Sequence, residues 1–368
     1  MKNFCALPFH HVNVRNNGDF AVCCKHPVPQ QQRMNINSHS VDQWRDSSYL
    51  NAVRKSFLDD QRHPNCGHCW DKEDQGFVSF RQQMAKEYRI LGTDVEAKHI
   101  TFVDIGISNQ CNLACVMCNE HYSSKILAEN IKLGINVISQ KDIKWTDQAF
   151  VNLEALLMEN PKIVAFMGGE PLYVKRFLEL VEQIPPERAN SMVLHINTNA
   201  TIWNLRWQQA LQKFKMVRFM FSIDAVEDLY QYIRFSADWQ TVQENIDSMR
   251  SLPNAKCSVN CVVQNLNVAS LAPLIDWCKS RSLWLNLELL SQPEYLQFHN
   301  LPAPQKALAL SSLKQIDCTE LETIQAEFIV NVIEKLELSE FNVDLWKEFE
   351  KMSAMKDNVR GTDYRIFL

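Results

Sequence analysis

Between residues 100 and 290, short runs rich in β-branched and aromatic residues alternate with amphipathic helical stretches. The predicted strands are residues 100–107, 163–167, 192–198, 216–223, 256–263 and 283–290. The predicted helices lie near 121–134, 146–159, 174–184, 204–213, 239–252 and 268–280. Parallel neighbours need long connections, so this succession predicts an α/β fold with a parallel sheet. Six β/α units fit either an open doubly wound sheet or a partial barrel.

The segments on either side of this alternation have a different character. Residues 1–90 are polar and irregular, with strand candidates at Val12–Val14 and Asp19–Val22 around a hairpin turn at Asn16-Asn17-Gly18. A helical stretch is expected at about 41–58. The last part of the chain is mostly helical, with its strongest helix from Glu320 to Leu338. We therefore predict an N-terminal domain at 1–90, a central domain at 97–295 and a helical cap at 300–368.

Composition excludes several classes of protein. The chain has 368 residues, of which 46% are hydrophobic and 22% charged, so it is neither disordered, nor collagen-like, nor a small disulfide scaffold. A net charge of -5 argues against a dedicated nucleic-acid binder. No run approaches the ~20 apolar residues of a membrane helix, and the first residues lack a signal-peptide core. We expect a cytoplasmic protein with no membrane partner.

The 12 cysteines need an explanation other than disulfides, which are rare in the cytosol. The first predicted strand runs into Cys111, Cys115 and Cys118, spaced C-x3-C-x2-C. These thiolates can bind one metal centre, but they are one ligand short of a saturated site. An open coordination position on an iron–sulfur cluster is one interpretation. A zinc knuckle completed by another residue, such as His121, is the alternative.

The second predicted strand ends in Gly168-Gly169-Glu170-Pro171. Ligands of α/β sheets bind outside the carboxyl ends of strands. The glycines allow close backbone approach, and the Glu170 carboxylate can accept hydrogen bonds from an ammonium group. Alone, this motif would be read as a tight turn; one strand after the cysteine triplet, it predicts a ligand site.

Together these motifs resemble the radical S-adenosylmethionine (SAM) superfamily, and Asn197-Thr198-Asn199 and Ser222-Ile223-Asp224 at later strand ends extend the resemblance. The resemblance implies a partial (β/α)6 barrel, a [4Fe–4S] cluster on Cys111, Cys115 and Cys118, and reductive cleavage of SAM to a 5′-deoxyadenosyl radical that abstracts hydrogen from a substrate. It also implies SAM contacts by Gly168, Gly169, Glu170, Asn199, Ser222 and Arg234.

The N-terminal cysteines have a second pattern, C-x12-G-x4-C followed by a distant C-x2-C, formed by Cys5, Gly18, Cys23, Cys66 and Cys69. This resembles the Twitch version of the SPASM/Twitch auxiliary-cluster domain, here placed ahead of the barrel. The resemblance implies a second [4Fe–4S] cluster on the four cysteines, used in electron transfer because four thiolates saturate it. A zinc ribbon is the alternative, and Cys24 could replace Cys23.

Strand side chains alternate between two faces, and the polar faces of the predicted strands are expected to point into the barrel. Asp104, Arg218 and Glu288 are the candidate catalytic residues on these faces, with His195 and Asn286 as further substrate contacts. A satisfied polar core network is the alternative, and a one-residue register slip would invert every face. The interpretation implies a polar substrate.

The sequence therefore predicts a radical SAM enzyme that modifies a peptide or a polar small molecule and is supplied with electrons by a donor such as flavodoxin or ferredoxin. The alternative is a non-catalytic Fe–S electron carrier or redox sensor. Of the remaining thiols, Cys257, Cys261 and Cys278 are expected to be buried and apolar, while Cys318 is a candidate hydrogen-atom donor.

Overall fold

The computed structural model describes residues 2–74, 76, 78–91, 100–135, 137, 144–159 and 161–368. Residues 97–99, the predicted start of the central domain, lie outside the described residues. The strands form one sheet in the order β2-β1-β3-β4-β5-β6-β7-β8. Their bounds are β1 His11–Val14, β2 Phe20–Ala21, β3 Phe102–Ile107, β4 Ile163–Gly168, β5 Val193–Thr198, β6 Met216–Ser222, β7 Ala255–Val263 and β8 Trp284–Leu289. Each predicted central strand is confirmed to within two residues.

The α-helices of the described residues connect and flank these strands. They are α1 Leu7–His10, α2 Val41–Arg45, α3 Ser48–Leu58, α4 Gly67–Asp74, α5 Phe80–Leu91, α6 Ser124–Lys132, α7 Asp147–Met158, α8 Lys175–Gln183, α9 Pro186–Ala189, α10 Leu205–Gln212, α11 Glu227–Ile233, α12 Trp239–Arg250, α13 Leu271–Ser280, α14 Ala303–Lys314, α15 Thr323–Leu338 and α16 Val343–Arg360. The helix predicted at 41–58 is two helices, because Ser40 and Ser47 each cap a separate N-terminus. None of these helices has both the length and the apolar character needed to span a membrane.

The strand order distinguishes the two architectures that the sequence left open. Strands β3 to β8 are all parallel and lie side by side in the order of the sequence. A doubly wound sheet reverses its strand order at a switch point. Here the order never reverses, so crossovers of one hand place their helices on one face of the sheet. The result is an open, partial barrel.

Side-chain alternation gives this barrel an apolar outer face and a polar inner face. On β6, Val217, Phe219 and Phe221 are buried, whereas Arg218 is exposed and Ser222 is half-buried. The same alternation is present on β5. Burial of the apolar face therefore fixes the register that points polar residues inward.

The N-terminal hairpin extends the barrel sheet. Strand β1 pairs in parallel with β3, so that Asn13 lies opposite Asp104, and β2 pairs antiparallel with β1. The turn uses Gly18 at φ +86°, where an added Cβ would come within 2.7 Å of Asn35 Oδ1. The hairpin therefore forms one side wall of the barrel interior.

The C-terminal helix α16 fixes the cysteine loop that follows β3. Lys356 Nζ donates a hydrogen bond to Val116 O at 3.2 Å, inside the core. Arg360 makes two 2.7 Å hydrogen bonds to the carboxylate of Glu129, and both side chains are almost fully buried. The helix ends at Gly361, which has φ +70°. These contacts place the last helix against the outer side of the triplet.

Candidate active site

A cavity of about 670 Å³ opens at the carboxyl ends of β3, β4, β5 and β6. It contains every residue that the sequence assigned to the first cluster and to SAM. These are Cys111, Cys115, Cys118, Gly168, Gly169, Glu170, Asn199, Ser222 and Arg234. The fold therefore brings residues between positions 111 and 234 of the sequence to one concave surface.

The three cysteines of the triplet are close enough to influence one another. Burial, and to a smaller extent the neighbouring Cys115, raise the pKa of Cys111 to about 12. The pKa of Cys118 is raised by burial and then by Cys115 and Cys111. Main-chain N–H groups of Leu113 and Asn119 donate to Cys111 and Cys118, which favours the thiolates. A bound cation would offset the remaining repulsion, so this set of soft donors fits an iron–sulfur cluster.

The two glycines of the second motif allow the end of β4 to pack against the cysteine loop. Gly168 has φ +131°, and an added Cβ would lie 2.8 Å from Ile107 N. A Cβ on Gly169 would lie 2.2 Å from Gln110 O. The backbone at these glycines therefore packs closely against residues 107–110 of the protein, just before Cys111. The same glycines also line the cavity.

Glu170 is buried, and both of its carboxylate oxygens have partners within the protein. Oε1 accepts from Thr198 Oγ1 at 2.6 Å and from Leu172 N at 3.1 Å, while Oε2 accepts from Asn199 N at 2.6 Å. Burial raises the pKa of Glu170 to about 7. The carboxylate therefore ties the ends of β4 and β5 together, in addition to lining the cavity.

Arg234 brings a positive charge to the triplet. Its Nε donates to Asp224 Oδ2 at 2.6 Å, and its Nη1 lies 3.8 Å from Cys115 Sγ. Burial opposes the charge of Arg234, but the facing carboxylate more than offsets this, so the pKa of Arg234 is raised. Asp224 is fully buried, and its other oxygen accepts from Val262 N at 2.8 Å. The guanidinium is therefore held charged beside a predicted cluster ligand.

Asn199 and Ser222 complete this wall of the cavity. Asn199 is buried; its Nδ2 donates to Asn112 Oδ1 at 3.1 Å, and its Oδ1 accepts from Thr201 N at 3.0 Å. Ser222 is half-buried at the end of β6. Asn199 thus connects the end of β5 to the cysteine loop.

The three candidate catalytic residues are not equally placed. Asp104 and Arg218 belong to one row of strand partners, which also contains Ala165 and His195. Asp104 is buried and accepts a hydrogen bond from Asn13 Nδ2 at 2.8 Å, and burial raises the pKa of Asp104 to about 6.

The other two candidates are exposed. Arg218 Nη1 lies 3.2 Å from His195 Nε2. Glu288 is exposed on the last strand, where Asn286 Nδ2 donates to it at 3.3 Å. None of Asp104, Arg218 and Glu288 belongs to the lining of the 670 Å³ cavity, although Asn13, the partner of Asp104, does.

The hairpin contributes cavity residues that the sequence reasoning missed. Asn13, Arg15, Asn16, Asn17 and Cys24 all line the cavity. Cys24 is exposed to the cavity; desolvation by the surrounding protein raises its pKa most, followed by the charge of Asp104. Only the pairing of β1 with β3 brings these residues to the triplet. The adjacent cysteines at 23 and 24 were the available signal, since they follow the second strand of the predicted hairpin.

The four N-terminal cysteines form a second group of thiols. Burial raises the pKa of Cys5 to about 12, with further contributions from Cys66 and Cys69. Burial also raises the pKa of Cys66 to about 12, with contributions from Cys23 and Cys69. Cys23 is buried, and the charges of Cys5 and Cys69 act on it. Cys23 therefore interacts with this group, and Cys24, whose pKa Cys69 also raises, lines the cavity.

Comparison with known proteins agrees with this geometry. Residues 105–278 match the profile of the radical SAM superfamily. The molybdenum cofactor biosynthesis protein 1 of Dictyostelium discoideum is 24% identical over 253 residues, covering 68% of this chain and 36% of that protein. A probable GTP 3′,8-cyclase of Methanocella arvoryzae is 22% identical over 260 residues, covering 67% of this chain and 77% of that protein. The chain thus spans about a third of the first relative and about three quarters of the second.

Two solved structures are also similar. Native anSMEcpe with bound AdoMet has 19% identity and a TM-score of 0.40, covering 56% of this chain and 57% of that chain. Streptococcus suis SuiB bound to the precursor peptide SuiA has 13% identity and a TM-score of 0.42, covering 86% of this chain and 67% of that chain. Radical SAM proteins bind a [4Fe–4S] cluster and SAM. The residues that match the superfamily model include Cys111, Cys115 and Cys118, the Gly168–Glu170 turn and Arg234.

Proposed function

We propose that this protein is a radical SAM enzyme whose first [4Fe–4S] cluster is held by Cys111, Cys115 and Cys118. When bound there, a reduced cluster and SAM would supply the radical chemistry that removes a hydrogen atom from the substrate. The observation that carries the proposal is the shared cavity, in which the three thiols face the Gly168–Glu170 turn and Arg234.

The chain's own residues suit the binding of SAM. Arg234 is charged and oriented by Asp224, so it suits a carboxylate. The turn at Gly168 and Gly169 lines the cavity with main chain, whose carbonyl groups suit an ammonium group. Ser222 and Asn199 provide polar atoms for the ribose. In this arrangement Glu170 acts mainly by fixing the turn, because both its oxygens are engaged.

We further propose that Cys5, Cys23, Cys66 and Cys69 hold an auxiliary [4Fe–4S] cluster in a Twitch-like domain. The support is that Cys5, Cys23 and Cys69 are buried and Cys66 is half-buried, and that the charges of these thiols act on the pKa of Cys5, Cys23 and Cys66. Four protein thiolates leave no open position, so the role that fits is electron transfer. The electrons would come from a protein such as flavodoxin or ferredoxin.

The substrate we propose is a peptide or a polar small molecule. Asn13 and Asp104 are buried side by side on β1 and β3, and among the described residues Asn13 Oδ1 and Asp104 Oδ1 have no hydrogen-bond partner. Such acceptors need a donor when they are buried. A substrate N–H or O–H group would supply it. Arg218 and Glu288 are proposed contacts farther along the inner face.

Nucleotide cyclisation is a second candidate reaction. It is favoured by the similarity to proteins named GTP 3′,8-cyclase, one of which matches 67% of this chain. The cavity also contains three basic side chains, those of Arg15, His121 and Arg234, which suit an anionic substrate. Adding GTP to the assay below and analysing the products by mass spectrometry tests this candidate.

The test is SAM cleavage by the anaerobically reconstituted protein. Reduced protein incubated with SAM is expected to release 5′-deoxyadenosine, detected by mass spectrometry, and to contain about eight irons per chain. The Cys115→Ala variant is expected to release none, whereas the Cys257→Ala variant, altered on the sheet away from the cavity, is the matched control. Iron without 5′-deoxyadenosine would support the electron carrier or redox sensor instead. Zinc in place of iron would refute the cluster assignments.

A further inference from the structure

The Cys66 thiol has a hydrogen-bond environment unlike that of two other N-terminal thiols. Cys5 and Cys23 each face a main-chain N–H group, from Leu7 and Lys25 respectively. Cys66 Sγ instead lies 3.4 Å from Nδ1 of His26, whose side chain is 1% exposed. A buried imidazole therefore takes the place that a main-chain donor has at the other two ligands.

The partners of the His26 ring determine which nitrogen carries the proton. His26 Nε2 lies 2.7 Å from Tyr49 Oη. Tyr49 Oη accepts from Asn65 Nδ2 at 2.9 Å, so its own proton points either to His26 Nε2 or to Pro27 O, which is 3.4 Å away. The shorter contact is the stronger hydrogen bond. Nε2 is then the acceptor, and Nδ1 carries the proton that points to Cys66 Sγ.

The His26 ring is held in this orientation by its surroundings. Its main-chain N–H donates to Cys23 O at 3.1 Å, and its carbonyl accepts from Arg15 Nη2 at 2.7 Å. Tyr49 and His63 pack on the ring, with centroids 5.9 Å and 5.4 Å away. The His26 backbone is thus tied to the loop of one predicted ligand, and its side chain to another.

His63 is the other imidazole beside Cys66. One ligand atom from each of His26, His63 and Cys66 lies within 4.8 Å of the others, a spacing that could also suit a metal ion. However, Nε2 of His26 is engaged by Tyr49, and Nδ1 of His63 accepts from Asn65 N at 3.2 Å. The geometry favours a donor to sulfur at His26 over a ligand to metal.

We propose that His26 is a positioning residue for the auxiliary cluster, donating an Nδ1–H···S hydrogen bond to the Cys66 thiolate and raising the reduction potential of that cluster. The inference rests on the auxiliary cluster proposed above. A hydrogen bond to a ligand sulfur stabilises the additional negative charge of the reduced cluster, and such bonds are among the determinants of cluster potential. Tyr49 supports the effect by fixing the tautomer of the imidazole.

The experiment is a redox titration followed by electron paramagnetic resonance. It uses the full chain carrying Cys111→Ala, Cys115→Ala and Cys118→Ala, so that only the auxiliary cluster responds. His26→Phe removes the donor, and His26→Gln retains an N–H donor. Tyr49→Phe removes the group that fixes the tautomer without changing His26. His68→Gln is the control, because this imidazole is exposed although it lies between Cys66 and Cys69 in the sequence.

His26→Phe is expected to lower the ratio of reduced to oxidised cluster about tenfold at a fixed potential, which is a shift of 59 mV for a one-electron couple. Tyr49→Phe should lower it by less, and His26→Gln and His68→Gln should leave it near that of the parent. Equal potentials in the parent, His26→Phe and Tyr49→Phe would overturn the proposal, as would an equal shift in His26→Gln and His26→Phe.

Two further outcomes separate this inference from the proposed function. Strong coupling of a histidine nitrogen to the iron, measured by electron–nuclear double resonance, would make His26 a ligand and overturn the donor role. If the parent of the titration contains no iron, the auxiliary cluster itself is absent, and the error lies in the proposed function. If His26→Phe alone loses its iron, Tyr49→Phe provides the decisive comparison.

Discussion

The two cysteine sites of this protein are assembled in opposite ways. The central triplet lies within eight consecutive residues on one loop, and the neighbouring strand ends supply its surroundings. The N-terminal group takes Cys5, Cys23 and the pair Cys66 and Cys69 from three separate segments. A local site can be recognised from spacing, whereas a dispersed site exists only when the fold forms. The N-terminal group is therefore expected to be the more sensitive of the two to changes in packing.

Both sites also have a largely buried arginine side chain paired with an acid, but the two guanidinium groups face different surroundings. Arg234, paired with Asp224, reaches Cys115 and lines the open cavity. Arg81 donates through Nε to Glu73 at 2.9 Å and lies over the Trp70 ring at 4.7 Å. The charge of Arg81 also acts to lower the pKa of Cys5 and Cys66. The central site is thus open to a ligand, whereas protein side chains cover the N-terminal one.

The largest expected effect is the loss of one cluster when a cysteine ligand of either site is replaced. Cys115→Ala should abolish 5′-deoxyadenosine formation and leave about four irons per chain, since one cluster remains. Cys69→Ala should also leave about four irons, but SAM cleavage should persist, because the cavity is unaltered. Iron and sulfide analysis with a SAM-cleavage assay checks both variants. Loss of all iron in either variant would contradict two independent sites.

The next prediction concerns the buried ion pair of the central site. Arg234→Gln should lower the free energy of unfolding by about 3 kcal/mol, because fully buried Asp224 loses its partner. The double variant Arg234→Gln, Asp224→Asn should recover much of this loss, because it removes the unpaired charge. Urea denaturation of the three proteins measures the effect. A double variant as unstable as the single one would show that hydrogen-bond geometry, and not charge, dominates.

A smaller effect is expected from the ionisation of Glu170. Burial raises its pKa from 4.5 to about 7, so the fold favours the protonated carboxyl. Its contribution to stability is fully present below about pH 4.5 and is lost as the pH rises through about 7. The free energy of unfolding of the unmutated protein, relative to Glu170→Gln, should therefore fall between pH 5 and pH 8, by at most about 3 kcal/mol. If the free energies of unfolding of the unmutated protein and of Glu170→Gln change in parallel with pH, ionisation of Glu170 does not contribute to stability.

The smallest effect should come from Cys24, which the structure assigns to the cavity wall. Cys24→Ala should retain about eight irons per chain, whereas Cys23→Ala should fall to about four. The two variants remove adjacent thiols, so each is a control for the other. If Cys24→Ala loses iron and Cys23→Ala retains it, Cys24 and not Cys23 is the ligand of the auxiliary cluster.

The sequence by itself determined the parallel strands, the cysteine triplet and the Gly168–Glu170 turn, because period-two patterns and short spacings are local properties of the chain. The alternation on β6 and the C-x3-C-x2-C spacing can both be read without knowing any distant contact.

Only the tertiary structure decided which distant groups meet. The pairing of β1 with β3 brings Asn13 to Asp104 and Cys24 to the cavity, and no local pattern specifies this pairing. The partners of Glu170 on β5, and the contact between His26 and Cys66, likewise depend on how separate segments pack. Burial of the apolar faces of the whole sheet brings residues that are distant in the sequence together. The hydrogen bonds between such residues form as a consequence.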